Sequence, residues 1–179
     1  TNWLIEEFML LANREVAKHV FKLAEKAPEK RLAFLYRIHD EPKADRIAEL
    51  QTFVRAIGYE FGRPKHKINA KDIQNLLTQI KGKPEEHLIR TATLRSMAKA
   101  IYTTKNIGHF GLAFEYYTHF TSPIRRYPDM LVHRILASHL DGHPIDRREY
   151  ADLESMCILA SEQEAKAVDA ERESIRYKQ

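Results

Sequence analysis

Residues 2–26 constrain the fold more than any other stretch. Ile5, Phe8, Met9, Ala12, Val16, His19, Val20 and Leu23 recur at steps of three and four, the spacing of one helix face. Trp3, Leu4, Leu10 and Leu11 widen the apolar surface nearly all the way round. A helix of that kind is expected to be central and largely covered. Glu6 and Asn13 interrupt it. Either they face inward for a purpose, or they share an exposed sliver with Glu7 and Arg14, as an unpaired Glu usually does.

The rest of the chain supplies mostly helices. Ala33 to Ile38 is a short apolar run suited to a strand. Asp40-Glu41-Pro42 is a helix-start pattern, the stripe Ile47, Leu50, Phe53, Val54 and Ile57 follows, and Gly58 closes it. Gly62 to Lys67 reads as a basic linker. Asn69 with Asp72 forms a capping-box pattern ahead of Ile73, Leu76, Leu77 and Ile80. Gly82 stops that helix, and Pro84 starts another that runs to about Lys99. Ile101 to Thr104 are strand formers before a turn at 105–108, and His109 to Tyr117 alternates loosely enough to return as a second strand. The expected fold class is therefore α+β, mainly α-helical, with a short β-hairpin near 100–117. A last helix is expected from about Asp146 to the end. Its inward stripe includes Glu164 and Glu171, and an inward carboxylate needs a cation or a function unless that end is solvated.

Tyr116 to Arg134 reads YYTHFTSPIRRYPDMLVHR and concentrates aromatics, hydroxyls, arginines and histidines. Ser122-Pro123 resembles a helix start, with Arg125 and Arg126 in its first turn, where the backbone N–H groups make a cation unwelcome unless an anion is present. Phosphate suits both the free N–H groups and an Arg fork. The other reading pairs the two arginines with Asp129 at i+4 and i+3. Pro128 adds a choice between a kinked helix and a tight turn at 123–127 ahead of a helix that begins at Pro128.

Composition narrows the function classes. The chain has 29 Lys+Arg against 25 Asp+Glu, a net charge of +4 that leans only slightly towards nucleic acid. The excess gathers between Arg90 and Arg134, where the acids are Glu115 and Asp129. A single cysteine, Cys157, excludes an internal disulfide framework and fits a reducing compartment. No apolar run is long enough to span a membrane, and no small-molecule cofactor motif or Gly-rich phosphate loop is present. No D-x-D-D run or H-x-x-x-H spacing offers a metal site, so the chain itself is expected to hold no metal. It opens and closes in helix patterns without start or stop signals, as expected of part of a longer protein.

The string HFGLAFEYYTHFTSPIRRYPDMLVHRIL, His109 to Leu136, resembles the core motif of the ribonuclease II / ribonuclease R (RNB) exoribonucleases, and the bacterial ribonuclease R branch most of all. NWLIEEFMLLAN, Asn2 to Asn13, is similar to that family's IEE-x-M-x-x-AN helix, and AVDAERES, Ala167 to Ser174, to its A-x-x-A-x-R-[DE] helix. These matches bracket nearly the whole chain. The resemblance implies a processive 3′→5′ exoribonuclease that hydrolyses single-stranded RNA in the cytoplasm. It implies that residues 1–179 are the C-terminal part of the catalytic domain. The Mg²⁺-holding aspartates, the N-terminal half of that domain and the OB-type RNA-binding domains would lie outside this chain, which alone should be inactive. Arg125 matches the arginine placed at the scissile phosphate, Glu6 a carboxylate at the terminal ribose, and Glu171 an acid of the RNA channel. Arg126, Ser122 and Tyr127 are implied RNA contacts. A non-catalytic RNA-binding or helical interaction module is the alternative class.

Overall fold

A computed structural model describes residues 2–26, 32–62, 68–143 and 147–178. The elements are α1 (Asn2–Lys26), β1 (Tyr36–Ile38), α2 (Ala44–Ala56), α3 (Ala70–Gln79), α4 (Glu86–Ser96), β2 (Ile101–Thr103), α5 (Tyr127–Leu140) and α6 (Arg147–Lys178), with a 3₁₀ turn at Phe110–Leu112. The chain divides into two compact units. One comprises residues 1–38, 100–109 and 114–179, and the other His39–Lys99 with Phe110–Ala113.

The first unit holds the sheet. β1 and β2 pair antiparallel, with Arg37 opposite Tyr102 and Ile38 opposite Ile101. The expected hairpin at 100–117 does not form. Its first half is β2, but β2 pairs with β1, and His109 meets Phe114 only in an isolated bridge. The reason lies on the far side of β1. There Arg37 N–H donates to Tyr117 O at 3.0 Å and the Thr118 hydroxyl donates to Leu35 O at 2.8 Å, so the returning segment docks on β1. The other edge of β2 is satisfied by α6. Ser161 Oγ accepts from Tyr102 N–H at 2.9 Å, and the Glu154 carboxylate accepts from Thr104 N–H at 3.0 Å and from the Thr103 and Thr104 hydroxyls. No strand N–H is left to pair with a further strand on that edge.

Around this sheet pack Ala17 and Val20 of α1, Phe34 and Leu35, Leu131, Val132 and Ile135 of α5, and Leu153 and Cys157 of α6. Each fully buried aliphatic or aromatic side chain here stabilises by about 1.5–3 kcal/mol. The burial of α1 is less than its pattern predicts. Asn13, Ala17 and Val20 are its buried residues, while Trp3, Leu4, Ile5 and Phe8 stay exposed. The first turns of α1 are thus largely exposed, and the apolar pattern there has not produced a central helix.

The second unit is helical. Ile47, Leu50 and Val54 of α2 pack with Phe61, Ile68, Leu76, Ile80 and Ile89. The Asn69–Asp72 capping box forms in both directions, at 2.9 and 3.1 Å. Gly58 takes φ +93 immediately after α2, a left-handed conformation that a Cβ would disfavour. α4 stops at Ser96, short of the expected Lys99. Most of the expected basic linker, 63–67, and the Asp146 start of α6 lie outside the described residues.

Candidate nucleic-acid interface

Of the two geometries open for the Ser122–Arg134 stretch, the chain adopts the turn. Ser122 O accepts the N–H groups of Arg125 and Arg126 at 3.3 and 3.1 Å, and α5 then begins at Tyr127 with Pro128 in its first turn. Pro suits that place because its missing N–H would be unpaired there in any case. Asp129, wholly buried, accepts from both ends of the turn through one oxygen. Ser122 N–H and Arg126 Nη2 each lie 2.8 Å from Oδ1. Arg126 therefore makes the ion pair that its spacing offered. Arg125 does not; it is exposed and forms no side-chain ion pair among the described residues. Beside it Ile124 projects fully into solvent, and Tyr127 is half exposed.

The segment before the turn is held from α1. Asn13 is buried; its Oδ1 accepts from Phe120 N–H at 2.9 Å and Thr121 N–H at 3.2 Å, and its Nδ2 donates to Tyr117 Oη at 3.3 Å. The inward reading of Asn13 is thus the observed one. Phe120 stacks on His133 of α5 at 4.2 Å, and His133 Nε2 is 2.9 Å from Phe120 O. Side chains of two helices thereby fix a stretch that has no regular structure of its own.

Behind the turn lies a concentration of positive charge. Arg37 sits over the Tyr102 ring at 4.5 Å, and Tyr102 Oη is 2.8 Å from His119 Nδ1. Burial pushes the His119 pKa down to about 3, and the positive charges of Arg126, Arg37, His109 and Arg125 push the same way. Burial also raises the Tyr102 hydroxyl to about 12, against the opposing pull of Arg37. His119 is thus a neutral spacer among cations. Arg37 is balanced by Glu164 of α6, whose Oε2 lies 2.6 Å from Nη1 in an ion pair off the hydrogen-bond axis. Glu164 is the inward carboxylate whose position called for a cation. Of the three arginines around His119, two have carboxylate partners and Arg125 has none among the described residues.

Glu6 and Glu171 are both exposed. Glu6 lies seven residues before Asn13 in α1, and Glu171 seven after Glu164 in α6. Seven residues is nearly two helical turns, so each carboxylate shares the face of its anchor residue and stands about 10 Å along the helix from it. Neither forms an ion pair with Arg125 among the described residues. Among the described residues no group of three or more His, Cys, Asp or Glu side chains could hold a metal ion. A hard cation such as Mg²⁺ wants several carboxylate oxygens together, and the described residues of this chain do not assemble them. No helix among them is long and apolar enough to cross a membrane.

The model of the RNB domain matches residues 1–142, which include α1, both strands and the Arg125 turn. The chain belongs to the RNB-domain family. It is 43% identical over 175 residues to Ribonuclease R of Aquifex aeolicus, an alignment covering 97% of this chain and 24% of that protein. It is 42% identical over 178 residues to Ribonuclease R 1 of Lactococcus lactis, covering 98% of this chain and 21% of the relative. Among solved structures it is similar to Mycoplasma genitalium RNase R in complex with ribose methylated single-stranded RNA. The TM-score there is 0.81 at 28% identity, over 97% of this chain and 27% of that one. The chain thus spans about a quarter of the length of these relatives.

Within the RNB chain, the sequence pattern pointed to Arg125 and Arg126 and also to the two residues that hold the turn. Asn13 was visible as a polar break in an apolar helix, and Asp129 as a partner for either arginine. Arg37, Tyr102 and His119 carried no local signal, because they meet through pairing between distant strands.

Proposed function

We propose that this RNB chain is the C-terminal part of the catalytic domain of a ribonuclease R-type enzyme, a processive 3′→5′ exoribonuclease acting on single-stranded RNA in the cytoplasm. The observation that carries this reading is the uncompensated Arg125 at an exposed turn, beside two arginines that have carboxylate partners. An exposed guanidinium with no carboxylate partner among the described residues suits phosphate, where it would offset charge that grows as the phosphodiester is attacked. Ser122 and Tyr127 flank it with a hydroxyl and a half-exposed ring on which a base can stack. Glu6 and Glu171, on exposed helix faces, would line the path of the strand, and Glu6 would read a ribose 2′-hydroxyl. Mg²⁺ would be held by residues beyond this chain and would supply the electrophilic chemistry there. The relatives' name and the RNA-bound neighbour support this assignment.

The test compares the chain alone with a longer protein carrying it, on RNA labelled at either end. The chain alone should bind the strand without shortening it. The longer protein, with Mg²⁺, should release labelled mononucleotide at once from the 3′ label and leave short products bearing the 5′ label. Shortening from the 5′ end, or metal-dependent degradation by the chain alone, would overturn the reading.

A further inference from the structure

Two adjacent arginines of one motif end in opposite situations, and a single buried carboxylate separates them. Asp129 is 0% exposed, and its Oδ1 joins Ser122 N–H to Arg126 Nη2, closing the turn across residues 122–129. The Arg126 side chain is 20% exposed, with its Nε buried and unpartnered among the described residues. Arg125, next in the chain, is exposed and unpaired among the same residues. A buried carboxylate left without its cation is costly, so the pair holds Arg126 inside far more firmly than a surface ion pair would. Because Ser122 and Arg126 share one oxygen, withdrawing Arg126 and shaping the turn are one event.

We infer that Asp129 is the positioning residue of this turn: it withholds Arg126 from RNA and thereby makes Arg125 the arginine that reads phosphate. The inference rests on the RNA-binding reading above. It also differs from what the family motif implies for Arg126, since it turns that residue from a contact into a brace. The RNA then meets one guanidinium at a defined place, where a motif with two free arginines would offer alternative registers. Direction is set as well. Ser122 O accepts the N–H groups of both Arg125 and Arg126, so fixing Ser122 and Arg126 fixes the backbone from which Arg125 projects.

The number of phosphates neutralised is read from the salt dependence of binding, at a slope of about 0.7 per contact on a single strand. The probe is a fluorescein-labelled oligoadenylate, bound to the full chain and followed by anisotropy across a salt series, with circular dichroism confirming each fold. Arg125→Gln should flatten the slope by about 0.7. The double variant D129N/R126Q removes both charges together, leaves no buried ion unpaired, and should keep the wild-type slope. Asp129→Asn alone frees Arg126 and should steepen the slope by up to about 0.7. Flattening in D129N/R126Q by the amount seen for Arg125→Gln, with a further equal flattening when Arg125→Gln is added to it, would show that Arg126 itself lies on phosphate beside a still-engaged Arg125. That result would overturn the inference while leaving RNA binding intact. Flattening that Arg125→Gln does not deepen shows that Arg125 has lost its place with the brace, as the inference requires. An Asp129→Asn chain that folds with an unchanged slope overturns it too. If that single variant does not fold, the double variant still decides. Absence of any RNA binding by the wild-type chain sinks both the inference and the reading beneath it.

Discussion

Acidification should begin to destabilise this protein through His119 before most of its carboxylates protonate. Burial lowers the His119 pKa from 6.5 to about 3, with Arg126, Arg37, His109 and Arg125 acting in the same direction. In the unfolded chain the same imidazole takes up its proton near pH 6.5. The folded form binds that proton only near pH 3, so the stability is fully present above 6.5 and is lost as pH falls towards 3. At about pH 5 the unfolded state has gained roughly 2 kcal/mol from this one site, and by pH 3 on the order of 5 kcal/mol. Near pH 5 most Asp and Glu side chains are still charged, and His139, whose pKa burial also lowers, titrates alike in wild type and variant, so comparison with a His119 variant isolates His119. Urea midpoints measured near pH 7.5 and near pH 5 should therefore differ by ~2 kcal/mol more in the wild type than in His119→Gln. Gln keeps an acceptor for the Tyr102 hydroxyl and cannot titrate. Equal losses in the two proteins would refute the reasoning. So would an NMR titration showing the His119 ring protonating near the ordinary histidine value.

Asn13→Ala strands the Phe120 and Thr121 N–H groups, so urea denaturation should show a loss of about 2–4 kcal/mol. Glu164→Gln leaves Arg37 largely buried without its anion. Glu164 is 38% exposed, so solvent screens the pair and the measured loss should be nearer ~1–2 kcal/mol than the value for a fully buried ion pair. In the longer enzyme, single-turnover cleavage should slow by roughly a hundredfold or more in Arg125→Ala, and Arg125→Lys should recover only part, since a point charge does not replace a planar fork. Binding collapse with an unchanged rate at saturating enzyme would make Arg125 an anchor instead.

What could be read from the chain, and what could not, follows from the range of the forces involved. α1 and the Asn69–Asp72 capping box were legible because helix periodicity and caps are local. Glu164 was legible as a carboxylate in need of a cation, but its partner was not, because Arg37 lies on a strand far away in sequence. The hairpin failed for the same reason. Ile101–Thr103 has the composition of a strand, and nothing in it distinguishes Phe114–Tyr117 from Tyr36–Ile38 as a neighbour. At the site, the i+3 and i+4 spacings made Asp129 an equal partner for either arginine. The turn at Ser122–Arg126 decides between them, and turn geometry depends on the Asn13 and Asp129 contacts.

The register that sets Ile38 opposite Ile101 also brings together the two ends of the excursion from His39 to Ala100. Both flanks are stitched within a single strand pair, so the residues from His39 to Lys99 leave and re-enter the sheet at one place, and Phe110 and Gly111 return to His39 through hydrogen bonds to its backbone oxygen and ring. In the unfolded chain, closing so long a segment costs little more than closing a short one, since each doubling of a flexible loop adds only ~0.6 kcal/mol. Closure at that base sets Tyr102 opposite Arg37 and beneath its guanidinium, and Tyr102 in turn holds His119, so the excursion's two ends are anchored by the same residues that order the charged cluster.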